Sequence, residues 1–476
     1  MQFNSIEYAI FLVVAFTLYW ALARWNLLRV AFLVVASYIF YAASNPWFVL
    51  LLVGSTVTDF YAGRGIVKAD AAGQIGRKKA WLVLSLAVNL GLLGVFKYAN
   101  FFYESFVDIG NALGFTLVFD RLDILLPAGI SFYTFQTMSY SIDVYRGLLK
   151  PEKSFLNFAF FVGYFPQLVA GPIVRAVDFL PQLKRRAHVS RQQLSRAMWL
   201  IGIGLLKKVV IADYLAVNIV DRVFDAPHRF SSMEVLIGLY GYTMQVYMDF
   251  SAYSDIAIGS ALLFGFKLPD NFNRPYTATS ISDFWKRWHM TLGSWLRDYL
   301  YFPLGGSKKG DLRTYYNLFV TFILIGLWHG ASWTFVVYGC LHALAMSINR
   351  YFRVNVGKRE KKKLTAWGWT WRVALTLNFV VLARILFRAQ DFTQAGEIVD
   401  ALLAGTTYVN SMTPLLWALL IGCYVVHWLP RSPIDSLRDA LSKIPIPAQG
   451  AVLAAALLVI MQAASTEVVP FIYFQF

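Results

Sequence analysis

Cysteine is almost absent from this chain: two occur among 476 residues, Cys340 and Cys423, each inside an apolar run. That excludes a disulfide framework and any C-x-x-C metal or redox motif, and both read as small buried hydrophobes. Charge is scarce too, at 15% of residues, where soluble domains carry about 25%. The phosphate-cradling G-x-x-x-x-G-K-[ST], the zinc-binding H-E-x-x-H and the nucleophile elbow G-x-S-x-G are all missing, as is any carboxylate cage for a divalent metal. No repeat with a period of about 20–50 residues is evident, which excludes a solenoid.

What fills the chain is apolar. Hydrophobic residues make up 58% and aromatic residues 17%, more than a soluble fold of this size could bury, and the rings suit membrane interfaces. The net charge of +16 alone would suggest a nucleic-acid partner, but the composition argues for a bilayer instead. The expected fold class is all-α and polytopic in the membrane, one integral domain over 1–476. The first apolar stretch, 6–23, carries Glu7 and lacks a basic leader, so it reads as a retained membrane helix and not a signal peptide. Further spans are expected near 28–41, 47–61, 81–98, 124–145, 197–220, 233–264, 315–327, 333–348, 369–387, 414–428 and 451–471.

Basic residues are clustered. Twenty of the 43 fall in four short stretches: five in 62–79, five in 184–196, three in 305–313 and seven in 350–363. The positive-inside rule places these stretches in the cytoplasm, and the acidic stretches 98–123 and 389–411 outside. Two apolar segments, 155–174 and 280–303, have basic clusters on both sides. The first also contains Pro166 and Gly171-Pro172. Both are expected to dip into the membrane and return, with the unwound backbone lining a cavity.

Ionisable groups inside apolar spans are costly and therefore functional candidates. They are Asp249 and Asp255 in QVYMDFSAYSDIAIG; Asp283, Lys286, Arg287, His289, Arg297 and Asp298 in SDFWKRWHMTLGSWLRDYLYFPLGG; His329 in LIGLWHGASWTF; and Lys207-Lys208 with Asp213. On one continuous helix, Phe284, Trp288, Trp295 and Tyr299 share an apolar face, and Asp283, Arg287, Ser294, Arg297 and Asp298 share the other. That charged face suits either an anionic ligand, such as a phosphate-bearing donor, or lipid headgroups. His329, next to Trp328, is either hydrogen-bonded to a neighbouring helix or an acid–base group, because imidazole exchanges protons near neutral pH. His342 and His427, near expected span ends, and His188 and His228, in loops, carry no catalytic assignment.

With these segments quoted, the chain resembles the membrane-bound O-acyltransferases, in the branch of the bacterial alginate O-acetyltransferases. The resemblance rests on ASYIFYA (36–42), FKYANF (96–101), LPAGISFYTF (126–135), IDVYRG (142–147) and FPQLVAGPIVR (165–175). It is strongest at MDFSAYSDIAIG (248–259), NFNRPY (271–276), FWKRWHMTLGSWLRDYLYFPLGG (284–306) and GLWHGASW (326–333). One departure is Ala252, where relatives often carry glycine.

The resemblance implies about eleven transmembrane helices plus re-entrant segments forming a funnel with a central channel. Core motifs would lie in 126–349, with peripheral helices in 1–98 and 367–476. It implies that His329 is catalytic, with His289 the second histidine of this branch. On this reading Asp249, Asp255 and Trp328 orient groups in the channel, and Lys286, Arg287 and Arg297 meet the donor's phosphates. The donor would be acetyl-CoA, with no tightly bound cofactor and no metal. The acceptor would be an exopolysaccharide, alginate-like or cellulose-like, served by a periplasmic partner of serine-hydrolase-like type. The expected location is the bacterial inner membrane, multi-pass. Transfer of another acyl group, such as D-alanyl from a carrier protein, is an alternative. A proton-coupled transporter is another; it predicts a topological repeat, which the sequence does not show.

Overall fold

The structure, a computed structural model, describes residues 1–356, 364–429, 431–463 and 470–472. Among them every regular element is helical, as composition predicts. The chain divides into two compact units, Met1–Ala197 with Ala257–Pro269, and Met198–Ile256 with Asp270–Phe476.

In the first unit, α1 (Ile6–Ala21) opens at Ser5, whose Oγ accepts the Tyr8 amide over 3.3 Å. It is followed by α2 (Asn26–Ala42), α3 (Phe48–Ala71) and α4 (Ile75–Leu93). A π-helical turn, Gly94–Tyr98, carries α4 directly into α5 (Ala99–Ala112). The acidic stretch expected to be a loop from residue 98 is therefore helical as far as Ala112. α3 and α4 pack with α6 (Ile130–Tyr145), joined by a polar knot. Buried Asp59 accepts from Ser85, from Asn89 Nδ2 at 2.6 Å and from Ser141 at 2.7 Å. The Asn89 carbonyl accepts from Ser55 and Thr137 in turn. Such bonds join helices whose apolar faces give little preference for one register.

The 155–174 segment is interrupted where the prolines suggest. α7 (Phe155–Gly163) ends at Tyr164, whose ψ of 115° turns the chain before α8 (Phe165–Leu168). Residues 158–174 are all buried, so surrounding protein covers the broken backbone. Gly129 opens α6 with φ 77°, and a Cβ there would lie 2.5 Å from the Leu168 carbonyl oxygen. The unit also holds α9 (Ala176–Leu183).

The boundary between units falls inside α10 (Arg191–Leu205). In the second unit, π-helical stretches Leu206–Ala212 and Ala216–Val220 flank α11 (Asp213–Leu215) and lead to α12 (Asp221–Asp225). The long α13 (Ser232–Leu263) follows, its residues from Ala257 onward counted with the first unit, then the short α14 (Ile281–Phe284) and α15 (Met290–Leu296). Next come α16 (Asp311–His329), α17 (Trp333–Tyr351), α18 (Ala366–Arg388) and α19 (Phe392–Leu403). The described chain then forms α20 (Pro414–Trp428), α21 (Arg431–Lys443) and α22 (Ile446–Ala463). Residues 357–363 of the basic stretch and 464–469 of the last expected span lie outside the described residues.

α16 and α17 form a hairpin whose backbones touch. A Cβ on Gly326 would sit 2.1 Å from the Phe335 carbonyl oxygen, and one on Gly339 would sit 2.4 Å from that of Phe322. Small residues permit this approach, as between membrane helices generally. By length and composition, Ile75–Ala112 and Ala366–Arg388 can cross a membrane; Ile6–Ala21, Asn26–Ala42, Pro414–Trp428 and Ile446–Ala456 are shorter apolar helices.

Candidate active site

The continuous amphipathic helix expected over 283–299 is absent. Ser280 caps α14 by accepting the Asp283 amide, and Trp288 donates its amide to the Phe284 carbonyl over 2.8 Å. His289 then takes φ 44°, ψ 54°, ending one helical piece and starting α15. His289 and Arg274 (φ 49°) are the non-glycine residues with positive φ among the described residues. For an L-residue this backbone costs about 1–2 kcal/mol, so surrounding contacts must hold it.

Asn271 supplies them. Its backbone carbonyl accepts the Met290 amide at 2.9 Å, and its Oδ1 accepts the Thr291 hydroxyl at 2.9 Å. The Thr291 backbone N–H, which can only donate, also gives its proton to Oδ1 over 3.3 Å and so settles which way the carboxamide faces, with Nδ2 donating to Ser254. His289 Nδ1 lies 3.2 Å from the same Oδ1, so Nδ1 carries the proton and Nε2 keeps its lone pair. The imidazole is 1% exposed and packs edge-on against Phe250, 4.8 Å between centroids.

His329 is the last residue of α16, just before the Gly330–Ser332 turn. It is 3% exposed and packs against Phe387 at 5.0 Å and Tyr338 at 6.4 Å between ring centroids. Trp328 connects the two histidines: its ring centroid lies 5.5 Å from His289 and 5.0 Å from His329. Two motifs 40 residues apart in sequence thus converge on one buried aromatic cluster.

The carboxylates of Asp213, Asp249 and Asp255 pair with the lysine doublet. Lys207 Nζ is 2.6 Å from Asp255, while buried Lys208 lies 2.8 Å from both Asp249 and Asp213. Lys208 also donates to the Pro470 carbonyl, and Asp249 accepts the Ile472 amide. A cavity of about 70 Å³ is lined by Lys208, Asp213, Asp221, Gln245, Asp249 and Arg388. Phe250 and Ser254, their neighbours on α13, reach His289 and Asn271, while the carboxylates of Asp249 and Asp255 bind lysines.

A family model for the membrane-bound O-acyltransferases matches residues 148–388. The chain is 39% identical to the probable alginate O-acetylase AlgI of Pseudomonas aeruginosa, over 83% of this chain and 74% of that protein. It is 37% identical to the AlgI protein of Pseudomonas putida over 93% and 94% of the two chains. It is 38% identical to the peptidoglycan O-acetyltransferase of Helicobacter pylori over 78% and 73%. The chain belongs to the membrane-bound O-acyltransferase family. It is a membrane protein and an O-acyltransferase, so the transporter alternative falls away.

In this O-acyltransferase, the three cations assigned to the donor fall in two local elements, the turn after α14 and the π-helical turn Arg297–Tyr301. Lys286 is exposed in the turn after α14. Arg287 is held 2.9 Å from Asp283, and Arg297, in a π-helical turn, is held 2.7 Å from Asp298. Helical spacing survives only within each piece: Phe284 stacks on Trp288 and Trp295 meets Tyr299, but no shared face joins the pairs.

Several buried residues around this cluster have no assignment from sequence. His342 is fully buried within α17, and His427 accepts the Tyr276 amide at its Nε2 over 3.1 Å. Arg384, 3% exposed on α18, lies 4.8 Å from the Trp288 ring centroid. The rule that marks Asp249 also marks Arg384, an arginine inside an apolar span. Asn271 had a signal too, in the NFNRPY motif.

Proposed function

We propose that this enzyme transfers an acetyl group from cytoplasmic acetyl-CoA to a hydroxyl of an exopolysaccharide outside the membrane. The observation that carries this reading is the buried cluster in which Trp328 bridges His289 and His329. His329 takes the proton of the attacking hydroxyl and returns it to the leaving thiolate. His289, its proton committed to Asn271, accepts a hydrogen bond at Nε2 and orients the reacting group. Lys286 and Arg297, both exposed, face the donor's phosphates together with Arg287.

The names of the relatives support acetyl as the acyl group and a glycan as the acceptor. The enzyme works as a multi-pass protein of the bacterial inner membrane, with about eleven helices around a funnel and channel. A periplasmic serine-hydrolase-like partner receives the acetyl group or passes it to the polymer. No tightly bound cofactor is required.

His329→Ala tests the reading in membranes supplied with radiolabelled acetyl-CoA, partner and glycan. Label transfer is expected to cease while the variant remains folded in the membrane. Full residual transfer overturns the assignment, and transfer only from a D-alanyl carrier protein would replace the donor.

A further inference from the structure

Two buried N–H groups, each one aromatic ring away from His329, have no acceptor among the described residues. The first is on His342. The Trp285 indole N–H donates to His342 Nδ1 over 3.2 Å. An indole nitrogen only donates, so Nδ1 accepts and the proton of the neutral ring sits on Nε2. That Nε2 is buried without a hydrogen-bond partner. The second is on Arg384. Its Nη2 donates to the Tyr276 hydroxyl over 3.2 Å, and that hydroxyl donates onward to the Thr243 carbonyl. The Arg384 Nε is buried without a partner, and among the described residues no carboxylate lies within ion-pairing distance of the guanidinium.

One aromatic ring links each group to the imidazole of His329: Tyr338 for His342 and Phe387 for Arg384. The Tyr338 ring contacts His329 and lies 4.4 Å from His342. Phe387, one turn from Arg384 on α18, packs on His329 at 5.0 Å and on Tyr338 at 5.3 Å. Burying two donors without a protein acceptor, one of them permanently charged, is unfavourable in a resting protein. It is favourable where negative charge develops during a reaction, because fixed donors need no reorganisation at that moment.

Resting on the acyl-transfer reading above, we propose that His342 Nε2–H and the Arg384 guanidinium hold the oxyanion formed on the acyl carbonyl. The acceptor hydroxyl oxygen bonds to the carbonyl carbon, and its proton moves to His329. The C=O π pair shifts onto oxygen, and the two donors receive that charge. Collapse restores C=O, breaks the C–S bond and expels the thiolate, which takes the proton back from His329. Electrons and protons balance with donor, acceptor and this chain alone.

The test uses the full-length protein in membrane vesicles with acetyl-CoA. His342→Leu and Arg384→Met remove the donors, whereas His342→Gln and Arg384→Lys keep an N–H or the charge. Each removal is expected to lower kcat roughly 10²–10³-fold with KM nearly constant. The conservative variants are expected to recover at least about ten-fold of that loss. Binding of S-ethyl-CoA, a thioether without the carbonyl oxygen, is expected to be unchanged. A rise in KM at constant kcat overturns the proposal, as does joint loss of S-ethyl-CoA binding and thermal stability in every variant. His329→Ala runs in parallel. If it is inactive while the His342 and Arg384 variants turn over normally, only the oxyanion assignment fails; if it is fully active, the underlying reading fails.

Discussion

Asn271 fixes the tautomer of His289: one carboxamide oxygen accepts from Nδ1 of the ring and from the Thr291 hydroxyl. Asn271→Leu removes that acceptor and frees the imidazole to swap protons between its nitrogens. Turnover is expected to fall at least about ten-fold with little change in KM, as when a group that orients a functional histidine is lost. Steady-state kinetics in vesicles checks it; unaltered kcat in a folded variant would show that His289 only fills space.

The left-handed backbone at His289 sets the order of two small substitutions. At φ 44° the Cβ of alanine is strained and glycine is not, and at this N-cap position glycine is also the better residue. His289→Gly is expected to be about 1 kcal/mol more stable than His289→Ala, although both lack the ring. Thermal unfolding in detergent compares them, and equal midpoints would argue that the turn relaxes.

Lys208 bridges Asp249 and Asp213, 2.8 Å from each. Lys208→Met leaves two buried carboxylates uncompensated and is expected to cost about 3–5 kcal/mol, part of it recovered by adding Asp249→Asn. Asp70→Asn, which breaks the exposed pair with Lys78, is expected to cost less than about 1 kcal/mol. Unfolding midpoints of the four proteins should separate the buried case from the exposed one.

Gly326 and Gly422 both lie inside helices, yet alanine should act oppositely at the two. At Gly326 a new Cβ meets the Phe335 carbonyl, whereas at Gly422 nothing lies within 4 Å. Gly326→Ala is expected to destabilise by about 1–3 kcal/mol and to lower activity, since it wedges apart the hairpin carrying His329. Gly422→Ala is expected to stabilise by about 0.5–1 kcal/mol with activity unchanged. Paired melting and turnover measurements decide both.

His289 and His329 are legible in the sequence because an ionisable side chain in an apolar run is costly wherever the chain folds. The break at His289 is not legible, because Phe284, Trp288, Trp295 and Tyr299 keep helical spacing straight through it. Asp249 and Asp255 stand out by the same cost argument, but their pairing with Lys208 and Lys207 is tertiary, across 41 and 48 residues. His342 and His427 escape because they lie toward expected span ends, where histidine is cheap. In the membrane topology, apolar stretches reveal helices well, yet the helical continuation to Ala112 lies in an acidic stretch that composition assigns to a loop.

The indole of Trp328 also ties the two imidazoles together mechanically. Its ring packs edge-on against both, 5.5 Å from His289 and 5.0 Å from His329 between centroids. A close-packed interior passes a change of volume on to every neighbour, so a smaller ring at this one position loosens both motifs at once.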